Sequence, residues 1–412
     1  MHILLIHQVF AALGEPGGTR HHEMARYLAA QGHRVTVITG QVNYLTGERT
    51  AQGWMRRDTD DSGVVIYRCY TYAAWHRSFF HRILSFISFT FSSFFVGLRV
   101  REVDLVWGTS PPIFQGLTAW ALARLKRKPF LFEVRDLWPY FAIAVGVLRN
   151  RFLILLARCL ERFLYHCADR LVINSPGFEQ HVRERGARSV ALVPNGVDVS
   201  MFDPADKGTA FRQEHGLEGK FVVMYAGAHG MSNDLGVVIG AADRLRDQKN
   251  VAFVLIGDGK EKSALMAKTA ALRLSNVYFL PPMSKNNIAE ALAAADACIA
   301  ILKPIDAYKT TYPNKVFDYM AAGRPILLAI DGVIRSVVEK AGAGIFVRPG
   351  YPQALAGAVK ILESDPELRA RMGKAGRKCA QERFDRQILA GKLAAVMTEV
   401  VGETNRVEGE KV

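Results

Sequence analysis

Cysteine is scarce in this chain of 412 residues, and what there is does not organise a site. The five cysteines, Cys69, Cys159, Cys167, Cys298 and Cys379, are odd in number and show no metal-ligand spacing. They read as free thiols in a reducing compartment rather than as a disulfide framework. Long apolar runs are missing too. None reaches the ~18 uninterrupted residues of a spanning helix, so none is expected. The start, Met1-His2-Ile3-Leu4-Leu5-Ile6, runs straight into an apolar strand. It lacks the basic region and small-residue cleavage site of a secretory signal. Internal repeats and low-complexity tracts are absent. No G-x-G-x-x-G follows the first strand, which argues against the dinucleotide fingerprint. No metal-ligand cluster stands out, and no metal or other cofactor is expected.

What the chain does have is enough apolar material for two ordinary domains. Half of its residues are hydrophobic and 22% are charged, a mix that buries a core. The formal net charge is +14. Up to Val193 there are 24 Lys+Arg against 14 Asp+Glu, or +10, which leaves +4 for the remainder. A basic half attracts phosphate, nucleic acid or an anionic membrane surface. The plainer alternative is a generic solvated basic surface.

The dominant rhythm is a short apolar run, a loop, an amphipathic helix and another apolar run. Strands are predicted at Ile3–Ile6, Val35–Thr39, Val64–Arg68, Leu105–Trp107, Phe130–Glu133, Leu171–Ile173 and Ala191–Val193, with helices such as Thr19–Gln31 and Pro112–Lys126 between them. The rhythm restarts after Pro194-Asn195-Gly196-Val197-Asp198, with strands at Phe221–Tyr225, Val251–Ile256, Val277–Leu280, Ala297–Ile301, Ile326–Ala329 and Gly344–Val347. Solidly apolar strands alternating with helices imply parallel sheets covered on both faces. The expected fold is α/β: two doubly wound Rossmann-like domains facing each other across a cleft. The expected boundaries are 1–193 for a first domain, 194–383 for a second, and 384–412 for a final helix and a fraying tail from Gly402. Ligands bind such sheets at the carboxyl ends of the strands. One segment stands apart. Nine residues of Phe79–Val100 are Phe or Ile, with Arg77, Arg82, Arg99 and Arg101 near its ends. It needs a core or an apolar phase.

Five motifs carry chemistry. Gly14-Glu15-Pro16-Gly17-Gly18-Thr19-Arg20-His21-His22 follows the first strand and opens a helix. Its glycines, Gly17 and Gly18 above all, let backbone N–H groups approach a phosphate; the alternative is an ordinary glycine loop with a Thr cap. Phe132-Glu133-Val134-Arg135-Asp136-Leu137-Trp138-Pro139 ends a strand. There Arg135 suits a phosphate and Asp136 suits a hydroxyl or a proton, against the alternative of a structural ion pair. The turns Tyr225-Ala226-Gly227-Ala228-His229-Gly230 and Gly257-Asp258-Gly259 suit a diphosphate, although a lone His229 is more often structural. Finally, Pro313 opens and Gly323 closes a helix holding Asn314, Lys315 and Asp318. A cation and a carboxylate three positions apart share a face. They suit a nucleotide, or make a surface salt bridge.

Taken in order, these motifs resemble family 4 of the retaining glycosyltransferases, with the GT-B fold, from His2 to about Phe384. Pro16–Met24 followed by Gly32–Val37 is similar to that family's opening. Asn195-Gly196-Val197-Asp198 with Phe202 resembles its interdomain segment, and Pro313–Pro325 its carboxyl-terminal signature. Pro16–Glu23, Val42–Gly47 and Arg135–Pro139 resemble in particular the amino-sugar transferases of bacterial O-antigen and capsule assembly. The chain departs from the family at several points. Two signature glutamates eight positions apart are replaced by Thr310 and Asp318. An Arg-Lys pair after the Gly227 turn is absent, Ala228 and Asn233 occupying the neighbourhood. Arg135 stands where relatives often carry His.

The resemblance implies transfer of a glycosyl unit from a nucleoside diphosphate sugar, UDP-linked by preference, with retention and without metal. Arg135 and Asp136 are the implied catalytic residues. Gly17, Gly18, His22, Gly227, Gly230, Gly257, Asn314, Lys315 and Asp318 are the implied nucleotide-sugar site. The implied partners are the donor, a polyprenyl-diphosphate-linked saccharide acceptor and the anionic inner membrane surface, with no nucleic acid. The implied location is cytoplasmic and peripheral on that membrane. A sugar-nucleotide epimerase or a phosphorylase would share the fold, and a catalytically silent nucleotide-sugar-binding partner would share the site; turnover separates them.

Overall fold

A computed structural model describes every residue except 13, 16, 44–46, 48, 74–78 and 410–412. Pro16, residues 44–46 of the run 42–47, and Arg77 therefore lie outside the described residues. The chain divides into two compact units. One comprises Met1–Ala12, Gly17–Pro194 and the stretch from Gln387 onward; the other comprises Gly14 and Glu15 together with Asn195–Arg386.

The first unit is built on eight strands: β1 (His2–Ile6), β2 (Arg34–Gly40), β3 (Met55–Thr59), β4 (Val65–Cys69), β5 (Leu105–Ser110), β6 (Phe130–Val134), β7 (Arg170–Ile173) and β8 (Val190–Leu192). Their order is β3-β4-β2-β1-β5-β6-β7-β8. Ile3 pairs with Val35 on one side and Leu105 on the other, both in parallel. Every residue of β1, β5 and β6 is buried, because helices cover both faces. β3 is the exception. It reads Met-Arg-Arg-Asp-Thr, runs antiparallel to β4 and lies mostly exposed at the edge. Charged side chains at an edge deter unwanted strand pairing, and the same charges hide the strand from an apolar-run reading.

Alternate residues of β1 separate the two core faces. Leu4 and Ile6 join Phe89, Leu122 and Leu164 of the helices Phe79–Arg99, Phe114–Lys126 and Arg151–Cys167. Ile3 and Leu5 join Met24 and Leu28 of the helix Arg20–Ala30, together with Leu389, Leu393 and Met397 of the final helix Arg386–Gly409. That final helix continues past Gly402, correcting the expected fraying there.

Phe79–Arg99 is the one helix among the described residues long and apolar enough to cross a membrane by length and composition. Its packing inverts the usual amphipathic pattern. Ser85, Ser92 and Ser93 are fully buried, while Phe80, Phe91 and Phe95 are more than half exposed. The hydroxyls find partners in the interior: Ser92 donates to the Tyr70 carbonyl at 2.7 Å, and Ser88 accepts from the Tyr72 N–H at 2.9 Å. Small residues draw the helices together. A Cβ on Gly97 would lie 2.3 Å from a Leu122 methyl carbon. Beyond Phe114–Lys126, Trp120 meets Phe163 of Arg151–Cys167 edge to face at 4.8 Å.

The second unit carries β9 (Phe221–Ala226), β10 (Val251–Ile256), β11 (Val277–Leu280), β12 (Ala297–Ile301), β13 (Ile326–Ala329) and β14 (Gly344–Phe346), in the order β11-β10-β9-β12-β13-β14. All of its pairings are parallel. Val222 and Met224 face the side that holds Val316 and Met320 of the helix Asn314–Ala321. Val223 and Tyr225 face the side of Leu235–Arg244 and Pro352–Ser364. This doubly wound order reverses direction beside β9, so the turn after β9 sits at a topological switch point.

Candidate functional site

In the first unit the densest chemistry surrounds Glu133, the single charge in the strand Phe-Leu-Phe-Glu-Val. Arg20 Nε donates to Glu133 Oε1 at 2.9 Å, and His21 Nε2 donates to Oε2 at 2.6 Å; all three side chains are buried. The other two nitrogens of Arg20 donate to the carbonyls of Val193 and Pro194, each at 2.8 Å. The helix start thus fastens the chain where it leaves this unit. Burial pushes the Glu133 carboxyl up, but Arg20 and His21 override it and hold it well below the usual range. Burial takes His21 down to about 4, against the pull of Glu133. At neutral pH the network is therefore carboxylate, guanidinium and neutral imidazole, with Arg20 as the true counter-ion. His7 stacks on His21 at 4.2 Å and is likewise held neutral by burial and by its neighbours His21 and Arg135. None of these three was singled out from sequence, although a lone glutamate in an apolar strand is a signal: a buried charge needs partners.

The expected residues of this unit fall around that network. Gly17 has φ +149°, a left-handed-side conformation that favours glycine. A side chain at Gly18 would meet open space. Thr19 donates to Glu23, and its side chain does not cap the helix. His22 is buried against Phe10 at 5.4 Å. Arg135 makes no ion pair with Asp136 among the described residues. Its Nε donates to the Ser110 carbonyl at 3.0 Å, which ties β6 to the end of β5. The alternative of a structural Arg135–Asp136 ion pair is therefore not what these residues form. The Asp136 side chain is open to solvent, yet surrounding protein strips enough water to push its carboxyl up to about 6, with Arg135 acting the other way.

In the second unit three expected residues converge. Lys315, in the first turn of Asn314–Ala321, lays its Nζ 3.8 Å from the centre of the Tyr225 ring. A Cβ on Gly227 would sit 2.7 Å from that Nζ. A Cβ on Gly257 would sit 1.9 Å from the Gly227 carbonyl oxygen, so the turns after β9 and β10 touch backbone to backbone. Both glycines have positive φ, +146° and +141°. Gly257 N–H donates to the Leu280 carbonyl at 3.1 Å, and His229 N–H to that of Asp258 at 2.8 Å, locking the pair of turns. Tyr319 OH accepts from the Ala226 N–H at 3.1 Å, fixing the same strand end from below.

Burial lowers the Lys315 ammonium to about 7, with Asp318 opposing. The Tyr225 face also favours the ammonium, acting against burial. Asp318 itself pairs with Lys285 at 2.5 Å, so the alternative of a Lys315–Asp318 salt bridge is not what forms. Gly230 and Asn314 lie on the rim of this cluster by sequence, Asn314 exposed at the helix start. His229 is fully buried beside Tyr225 and Phe279, and burial takes it down to about 4. It is a structural residue of the turn.

A small positive group poised over a glycine turn at a strand's carboxyl end is an anion site in its chemistry. Comparison with known proteins agrees. Residues 17–196 match the family described as Glycosyl transferase 4-like domain, and residues 207–379 match Glycosyl transferases group 1. The chain belongs to the family 4 glycosyltransferases. This glycosyltransferase is 27% identical over 354 residues to WcaI of Escherichia coli K12, assigned as a glycosyl transferase of colanic acid biosynthesis, covering 82% of this chain and 86% of that one. It is 28% identical over 320 residues to WbjE of Pseudomonas aeruginosa, assigned as a glycosyltransferase, covering 74% and 77%. The solved structure of Anabaena HepE in complex with UDP superposes with a TM-score of 0.71 at 17% identity, covering 97% of this chain and 100% of that one. That likeness establishes the GT-B fold.

Proposed function

We propose that this glycosyltransferase moves a sugar from a UDP-linked donor, with retention, to a polyprenyl-diphosphate-linked saccharide in the synthesis of a surface polysaccharide. An N-acetylated amino sugar is the first candidate for the transferred group. The observation that carries the reading is Lys315 held over the Gly227–Gly257 turns. That ammonium and the adjoining backbone form a preorganised site for the charge that gathers on a leaving diphosphate. No metal is invoked in this reading, in which the Lys315 ammonium offsets the charge of the leaving diphosphate. The UDP bound to HepE supports the nucleotide, and the colanic acid assignment of WcaI supports the polysaccharide role.

The acceptor is read from the outer surface of the first unit. Phe91 and Phe95 of one helix and Phe152, Leu155 and Leu156 of another are exposed, as are Arg151, Arg158 and Arg162 beside the second set. Aromatic and aliphatic side chains next to arginines fit the headgroup region of an anionic bilayer, each cation contributing about 1 kcal/mol. We take the protein to sit peripherally on the cytoplasmic face of the plasma membrane, where a polyprenyl carrier holds its saccharide.

The test is a screen of nucleotide sugars against polyprenyl-diphosphate saccharides with the purified full chain. The expected result is a lipid-linked product whose anomeric configuration matches the donor. Release of free epimer, or donor binding without any product from any acceptor, would overturn the proposal.

A further inference from the structure

At the amino-terminal end of the second sheet's strands lies a cavity of about 890 Å³. Gly219 of its lining comes shortly before β9, Asp296 just before β12 and Pro325 just before β13. The strands are parallel, so this cavity opens at their amino ends, whereas Gly227 and Gly257 follow the carboxyl ends. A strand of this length separates the two places by roughly 20 Å. The cavity is firmly built. Gly373 of the helix Pro366–Cys379 presses on the Gly323 turn so closely that a Cβ there would lie 2.1 Å from the Gly323 carbonyl oxygen.

Its charge is one-sided. Lys207, Arg212, Arg324, Arg369, Lys374, Arg377 and Lys378 line it, against Glu218 and Asp296 alone. Asp296 is consumed by Arg212 at 2.7 Å. The other guanidinium groups are held by neutral carbonyls: Arg324 by Leu292 at 3.1 Å, Arg369 by Glu363 at 3.0 Å and Arg377 by Phe202 at 2.9 Å. Carbonyls aim these groups; Asp206 and Asp296 beside Arg324, Asp203 and Asp385 beside Arg377, and Glu382 at 3.9 Å from Lys378 offset part of the charge, all but Asp296 from outside the lining. Gathering like charges around one partly enclosed space is unfavourable, and a bound anion reverses the sign of that cost. The volume suits a small molecule. No aromatic ring lines the cavity, so nothing stacks on a nucleobase. Its apolar lining is only alanine and proline, so nothing receives an acyl chain.

We propose that this cavity is a second binding site, separate from the donor turns, for a soluble polyphosphorylated ligand that carries neither nucleobase nor lipid tail. Such a ligand would bridge the Lys207 side to the Lys374–Lys378 face by charge-assisted hydrogen bonds.

Inorganic tripolyphosphate is the probe, titrated calorimetrically into the full chain at fixed ionic strength. Two variants separate the sites: Lys207→Gln/Lys374→Gln in the cavity, and Lys315→Ala at the donor turns. Both cavity lysines are exposed, so the fold is not at stake. Expected is saturable binding, weakened about tenfold or more in the cavity variant and retained in Lys315→Ala. Equal affinity in the cavity variant, loss in Lys315→Ala alone, or an equal response to sulfate at the same ionic strength would overturn the proposal. Phosphatidylglycerol vesicles form the last arm. The cavity variant should bind them as wild type does; loss of vesicle binding with tripolyphosphate binding intact would make this a lipid-headgroup site and sink the proposal.

Discussion

Lys315 illustrates how one side chain turns burial into pH sensitivity. Its ammonium, lowered to about 7 by burial, gains a strong reason to stay protonated once a diphosphate arrives. Binding UDP should therefore take up a proton above neutrality, and affinity should fall as pH rises from about 7 to 9. Calorimetry in buffers of different ionisation enthalpy would show the uptake. Lys315→Arg, which stays charged, should flatten the pH dependence, and Lys315→Ala should weaken UDP binding about tenfold or more. Asp136 makes the opposite case. With its carboxyl raised to about 6, it is ionised at pH 7.5 and loses its charge as pH falls through that value. If it orients or deprotonates the acceptor hydroxyl, turnover drops on that acid limb. Asp136→Asn should cut kcat about 100-fold or more while leaving donor KM nearly unchanged, and should erase the limb from the pH–rate profile. Lys315 and Asp136 were both picked out in the sequence, Asp136 just past a strand end and Lys315 in the first turn of a Pro-opened helix. Arg20, His21 and Glu133 were not assigned, because their partnership joins positions more than 100 apart in the chain and no local spacing encodes it.

Elements were the easier level to read. Of the fourteen strands among the described residues, only β3 was missed, because Met-Arg-Arg-Asp-Thr has neither an apolar run nor alternation. The strands that build the sites were found because double coverage makes them solidly apolar. What the sequence conceals is contact between successive turns. Gly227 and Gly257 were each read as separate phosphate turns, yet they form one unit in which neither tolerates a side chain. Gly257→Ala would drive a Cβ into the Gly227 carbonyl and also strain a φ of +141°. We expect a loss of about 2 kcal/mol or more in the unfolding free energy and a parallel loss of UDP affinity. Urea unfolding and titration would check both. Ala228→Gly, one residue from the contact, is the control and should disturb neither strongly. Phe79–Arg99 is the other instructive element. Its composition called for a core or an apolar phase, and the helix divides between them: Phe89 and the serines pack inward, while Phe80, Phe91 and Phe95 turn outward.

For the whole molecule, the uneven charge acquires a place. The apolar residues of Phe79–Arg99 and Arg151–Cys167 are exposed on helices of the same core face, linked through Phe114–Lys126. Only the first of these helices stood out in the sequence. The second is amphipathic in the ordinary way and drew attention solely through Cys159 and Cys167. Purified protein should co-sediment with anionic liposomes at low salt and be released at high salt. Replacing Arg151, Arg158 and Arg162 by Glu should abolish recovery without lowering Tm by more than a few degrees, since all three side chains are exposed. Unchanged sedimentation of that variant would remove this helix from the membrane contact.

The final helix bears on how the protein is made. Leu389, Leu393, Met397 and Val400 complete a core whose other members, such as Ile3, Leu5 and Met24, are synthesised first. Between them the ribosome must produce the whole of Asn195–Arg386, a delay of about 10–40 s at ordinary elongation rates. Throughout that interval the nascent first unit presents an uncovered apolar face to the cell. The second unit, almost all of it in the single stretch Asn195–Arg386, can close as soon as that stretch emerges. Newborn chains should thus depend on chaperones in proportion to the pause, and a stop codon near Asp385 should yield an aggregating first unit beside a second unit able to fold alone.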